Sequence, residues 1–124
     1  MISDEQIELA KSQTTYTDEI YHEHNDCIRI TYQWLDAQKK IKRANPNFFD
    51  LKHLIERWGG RYVSSADVCV AAHLHPDIEG SYPEFNISSA RLTEPSLERL
   101  NGVSEAMKHK DYYRYDSSVY KVKE

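Results

Sequence analysis

Cysteine, glycine and proline are all scarce in this chain of 124 residues, with two, four and four of them. Cys27 and Cys69 lack CxxC spacing and are too few for a disulfide scaffold. The four glycines form no phosphate-cradling loop, and no GxSxG nucleophile motif occurs. Long apolar runs are missing too. None approaches the roughly 20 residues that span a bilayer, so no membrane partner is expected. The opening MISDEQIELAK is acidic and lacks the apolar stretch of a secretion signal. A reducing cytoplasm is the expected setting.

What is present fits one soluble domain over residues 1–124. Hydrophobic residues make up 40% and charged residues 29%. A chain this long buries roughly two-thirds of its unfolded surface, enough for a core without cross-links. The net charge of −4 is segregated. Residues 1–26 carry −6, residues 27–61 carry +5, residues 62–98 carry −5 and residues 99–124 carry +2. An acidic total argues against a strong nucleic-acid binder, whereas the two basic zones leave room for a local basic face.

The periodicity predicts a mainly α (α+β) fold. Residues 1–16 read as an N-terminal arm or a short helix bearing Ile2, Ile7 and Leu9. Residues 17–43 read as one long central helix. Thr17 would cap it, Asp18 and Glu19 would sit at its positive end, and Lys39, Lys40, Lys42 and Arg43 at its negative end. Its apolar arc is wide, so the helix should be packed on two sides, with its surface also serving a homodimer. A second helix is predicted from Phe48 to Trp58, capped by Asn47. Leu51, Leu54, Ile55 and Trp58 form its inner stripe, and Gly59–Gly60 its left-handed exit. Residues 61–63 should be extended.

Ser64 to Asp67 reads as a capping box that starts a helix ending before Pro76, with a strand as the rival for residues 66–75. A loop marked by Gly80 and Pro83 follows, and Asn86–Ser88 would open a short helical turn. Pro95 to Lys108 reads as a helix weakened by Gly102. Two short strands around Asp116–Ser118 would close the chain as a β-hairpin rich in tyrosine. The expected core is Ile20, His24, Cys27, Ile28, Thr31, Trp34, Leu35, Leu51, Leu54, Ile55, Trp58, Val68, Val70, Leu74, Leu97, Leu100 and Val103.

Three groups of residues carry candidate chemistry. His22 and His24 sit in YHEHNDC, a run of metal-ligand types. On a continuous helix the two rings point about 160° apart and cannot share an ion. His24 then reads as a core histidine and His22 as a solvated one. His73 and His75 in HLHPDIEG would face one side of a strand, giving a metal-dependent hydrolase with Asp77 or Glu79. On a helix they diverge, so neither a metal nor any cofactor is expected.

The third group follows from element order. From Phe48 the prediction runs helix, extended piece, helix, loop, helix, hairpin, which is similar to the order of a winged helix. That likeness implies a non-catalytic, regulatory binder of double-stranded DNA. Arg91, Arg99, Lys108, Lys110, Arg114 and Lys121 would contact phosphates. The acidic stretch 77–98 counts against it. The rival is a protein-docking factor of the small acidic phage or plasmid type, which inhibits a host partner.

Overall fold

The computed structural model of the chain describes residues 1–46 and 50–124. Two of its helices begin where a serine side chain takes up one of the first backbone N–H groups. Helix α1 (Asp4–Gln13) is capped by Ser3, whose hydroxyl accepts from the Gln6 N–H while the Gln6 side chain accepts from the Ser3 N–H. Helix α4 (Ser65–Leu74) starts the same way, with Asp67 reciprocating Ser64. The helix alternative for residues 66–75 therefore prevails over the strand. Helix α3 (Leu51–Gly59) leaves through Gly60 at φ 61°. A Cβ there would lie 2.8 Å from the Met107 Cα, so both conformation and space require glycine. The Asn47 cap and the Phe48 start of this helix lie outside the described residues.

The predicted long helix is much shorter. Helix α2 covers Asn25–Ala37, and His24, not Thr17, is its cap. Backbone groups before residue 24 have partners elsewhere. The Glu23 N–H donates to Asp67, and the Tyr21 carbonyl accepts from the Ser64 hydroxyl. At the other end the backbone of residues 39–45 pairs with residues 85–88. The Ser88 N–H donates to Lys39 O at 2.9 Å, Ile41 N–H to Asn86 O at 2.8 Å and Asn45 N–H to Phe85 O at 2.9 Å. These tertiary bonds outcompete continuation of the helix. Lys40 keeps its predicted service to the dipole, since its ammonium donates to the Leu35 and Asp36 carbonyls. Asn86–Ser88 is accordingly not a helical turn but a buried extended stretch.

Strands are short. β1 (Gly80–Ser81) and β2 (Glu84–Phe85) form an antiparallel hairpin across the cis Tyr82–Pro83 bond, where a plain loop was expected. β3 (Thr93–Glu94) pairs in parallel with β4 (Val122–Lys123). The C-terminal hairpin is not formed. Asp116 caps a 3-10 turn at Ser117–Val119, and the N–H groups of Lys121 and Val122 donate to Leu92 O. Pro95–Lys108 is not an α-helix either. It holds one 3-10 turn, Leu97–Leu100, and then a run of turns. Gly102 and Met107 both have positive φ, which an α-helix excludes. The element order therefore departs from that of a winged helix.

The core joins the four α-helices of the described residues. Ile7 of α1, Trp34 and Leu35 of α2, Ile55 and Trp58 of α3, and Val68 and Val70 of α4 are fully buried. Phe85 of β2 and Ile87, Leu92, Leu100 and Val103 from the later segments add to it. Each indole N–H finds an acceptor, Trp34 on the Tyr120 hydroxyl at 3.0 Å and Trp58 on the Pro95 carbonyl at 3.1 Å. Gln38, 3% exposed, acts as a strand partner. Its amide accepts from Thr93 N–H and donates to Thr93 O. Three residues expected inside are outside: Ile20 at 63% and Leu97 at 58% exposure, and the exposed His24. Helix α2 buries nearly all its apolar side chains within the chain, apart from the half-buried Tyr32 and Ala37. No helix among the described residues is long and apolar enough to cross a membrane.

Carboxylates pinned by arginines make the fold acid-sensitive. Burial pushes the Asp26 carboxyl up, but hydrogen bonds from Arg29, Ser104 and the Glu105 N–H outweigh it and hold the group below its ordinary value. Asp36 is likewise raised by burial and lowered further by Arg99 and His75. Glu124 is lowered chiefly by Arg99. A depressed folded value means that the stabilisation is complete above the ordinary carboxylate range and is lost as pH falls through the lower folded values. Thermal midpoints should therefore hold steady from about pH 7 to about pH 5 and drop on acidification below about pH 4. A midpoint unchanged down to about pH 2 would contradict this reading of the ion pairs.

Candidate nucleic-acid interface

The hydrogen bonds of the histidines decide whether a metal can bind. The helix starts after the YHEH run, so both rings lie before α2, yet they do not meet at one point. His22 contacts Asp67 Oδ1 through Nδ1 at 2.8 Å and the Tyr16 hydroxyl through Nε2 at 3.0 Å. His24 Nδ1 accepts from the Asp26 N–H at 2.9 Å. Tyr16, His22 and Asp67 line up as hydroxyl, imidazole and carboxylate, the row used in hydrolytic relays. Here the Tyr16 hydroxyl donates to Lys11 O at 2.9 Å, so its proton is not offered to the ring.

His73 and His75 diverge. His73 is exposed on α4, whereas His75 follows the helix and is buried. His75 Nδ1 accepts from the Asp77 N–H at 3.1 Å, which assigns the ring proton to Nε2, 2.8 Å from Asp36. Both nitrogens are thereby occupied, and the His73/His75 hydrolase corner is not assembled. Among the described residues no group of three or more His, Cys, Asp or Glu is placed to hold a metal ion. The thiols are not activated. Burial pushes Cys27 up to about 12 and Cys69 upward as well.

The six predicted phosphate contacts separate into two groups. Arg91, Arg99 and Lys121 lie around β3 and β4. Arg99 is committed there, gripping Glu124 and donating to Asp36 at 2.9 Å. Arg91 and Lys121 are exposed. Lys108, Lys110 and Arg114 belong to the segment that docks on the end of α3. This segment is fixed by Met107 N–H to Gly59 O at 2.7 Å and His109 N–H to Gly60 O at 2.8 Å. Lys108 is paired with Glu105 at 2.9 Å, while Lys110 and Arg114 are exposed.

Docking opens a cleft of about 500 Å³ between this segment and α3. Lys52, His53, Glu56 and Arg57 line it from α3, Tyr112, Tyr113 and Arg114 from the docked segment, and Tyr62 completes the lining. The electrostatics follow from which charges are matched. Glu56 is 3% exposed and accepts from Lys52 at 2.8 Å, from His53 and from the Val63 N–H. Its charge is thus held inside the wall, and Lys52 lies over the Tyr62 ring, 4.4 Å from its centre. Arg57 and Arg114 are exposed, and neither forms an ion pair among the described residues. Asp116, held low chiefly by Ser118, feels Arg57 only weakly. Tyr113 is pushed up to about 12, first by burial and then by the Glu56 charge, so its hydroxyl stays neutral. Tyr112 stands 81% exposed and packs edge-on against Tyr113, with ring centres 4.9 Å apart.

Of the residues that line this cleft only Arg114 was among the predicted contacts; Lys52, His53, Glu56, Arg57, Tyr62, Tyr112 and Tyr113 were not. The signal was there. The stripe Leu51, Leu54, Ile55 and Trp58 turns residues 52, 53, 56 and 57 to the opposite face of α3. A second cleft, of about 430 Å³, includes Thr14, Cys69, His73, Ser81 and Tyr82 in its lining and has no fixed charge to select an ion. No family model matches the chain, and comparison with curated proteins and with solved structures gives no match.

Proposed function

We propose that this protein binds nucleic acid without catalysing a reaction on it, through the cleft between α3 and residues 107–114. The observation that supports the reading is the pairing of two uncommitted guanidiniums, Arg57 and Arg114, with exposed tyrosine rings around a cavity of about 500 Å³. Cations serve phosphates, and aromatic rings serve bases. The net charge of −4 limits the interaction to this local face. A winged-helix mode of docking is not part of the proposal, because the terminal tyrosines form no wing. A cytoplasmic setting suits two thiols that are buried and free.

The test is binding of fluorescently labelled oligonucleotides, followed by anisotropy at about 50 mM and about 200 mM salt. The wild type should bind at the lower salt and weaken at the higher. Arg57→Ala with Arg114→Ala should reduce affinity about tenfold or more and make the salt dependence shallower by roughly 1–2 in log–log slope. Arg91→Ala with Lys121→Ala should change it little. Absence of binding by the wild type at low salt would refute the reading.

A further inference from the structure

We infer that the cleft selects unpaired nucleotides, with a base stacked on Tyr112 and its phosphate held by Arg57 and Arg114. This step rests on the nucleic-acid reading above and adds the class of strand. Three observations carry it.

The first is the state of the Tyr112 ring. It is 81% exposed, although an aromatic ring of that size is normally covered. It is also oriented. Its backbone N–H donates to His109 O at 2.9 Å, and the Tyr113 ring supports it at 80° between planes. An edge-to-face partner leaves a ring face uncovered, and an uncovered, pre-positioned face is what a flat base requires.

The second is the distribution of charge. The carboxylate in the wall, Glu56, is already matched by Lys52 and accepts a hydrogen bond from His53. The unmatched charges are two guanidiniums, one from α3 and one from the docked segment. Guanidinium is the planar donor that grips a phosphate through two bonds and also stacks on rings. Two such groups beside one platform suit one or two phosphates. They do not suit the long row of phosphates that a duplex presents.

The third is shape. The site is a concave, open groove of about 500 Å³. Bases within a duplex are stacked on one another and offer their faces only at the ends. A base can reach the Tyr112 ring only if it is unstacked, as in single strands, loops and bulges. The neighbouring surface extends the track. Lys108, His109 and Asp111 continue past the same two tyrosines into a further depression of about 440 Å³. The adjoining nucleotide of a single strand would lie there.

The experiment compares one labelled single-stranded oligonucleotide of about 12 nucleotides with the duplex of the same sequence, each as DNA and RNA. It uses wild type, Tyr112→Ala and Tyr112→Trp. Tyr112 is exposed, so neither change should unfold the chain, and circular dichroism checks this. Single strands should bind wild type at least tenfold more tightly than duplex. Tyr112→Ala should lose about tenfold on single strands and less than about twofold on duplex, and Tyr112→Trp should restore binding, because stacking contributes about 1–3 kcal/mol per base. Duplex binding equal to or tighter than single-strand binding would overturn the inference while leaving the nucleic-acid reading intact. Single-strand binding indifferent to Tyr112→Ala would do the same. Failure of all four ligands to bind at low salt would remove both.

Discussion

Asp67→Ala should lower the unfolding free energy by about 3–5 kcal/mol, a large part of what a domain of this size possesses. The side chain is fully buried. One oxygen faces His22 Nδ1 at 2.8 Å, and the other accepts from Ser64 N–H and Glu23 N–H. Alanine removes the return half of the capping box and leaves these donors without partners in a site closed to water. The effect reaches beyond α4, because these bonds fix residues 21–23 in extended form and so determine where α2 begins. Urea unfolding measures the loss, and the thermal midpoint should fall on the order of 15 °C. Asp67→Asn offers an acceptor oxygen to the two backbone groups and should cost less than half as much. A loss under about 1 kcal/mol for the alanine variant would show that other contacts hold this junction.

Trp58→Ala should cost about 3–5 kcal/mol by a different route. The indole is fully buried near the C-terminal end of α3, and its N–H satisfies Pro95 O at 3.1 Å. Removing it empties a large volume and orphans a carbonyl. Trp58→Phe refills most of the space and loses only the hydrogen bond, so about 1–2 kcal/mol is expected. The two variants separate packing from polarity at one position. Because α3 carries the cleft on its opposite face, Trp58→Ala should also weaken oligonucleotide binding, whereas Trp58→Phe should leave it near wild type. Equal stabilities for the two variants would mean that the neighbours collapse into the vacated space.

Local signals in the sequence were read correctly where the partners lie within a few residues. The Ser64–Asp67 capping box, the Gly60 exit and the inner stripe of α3 all depend on short-range geometry, and all are present. The errors share one physical cause. Thr17–Glu23 and Lys39–Arg43 have helical composition, but their backbone groups bond to residues 64–67 and 85–88. No local rule foresees a partner more than 40 residues away. The tyrosines of the C-terminal end alternate like a hairpin, yet Tyr112, Tyr113 and Tyr120 bond locally to His109 and Ser117, and the residues after them, Lys121 to Glu124, pair with Leu92 to Glu94. The site was half legible. The tyrosine-rich end and its bases Lys108, Lys110 and Arg114 were named from the sequence, and the α3 residues were not. Their union with the polar face of α3 depends on Met107 and His109 docking on Gly59 and Gly60, which the sequence does not announce.

The two indoles also happen to watch different events. Trp34 donates to the hydroxyl of Tyr120, 86 positions further along the chain, whereas Trp58 lies 37 positions from its acceptor. Closing the longer loop is the costlier step in chain entropy, so it belongs late in assembly. In stopped-flow refolding of single-tryptophan variants, the Trp34 emission would time the arrival of the C-terminal segment, and the Trp58 emission the seating of the third helix.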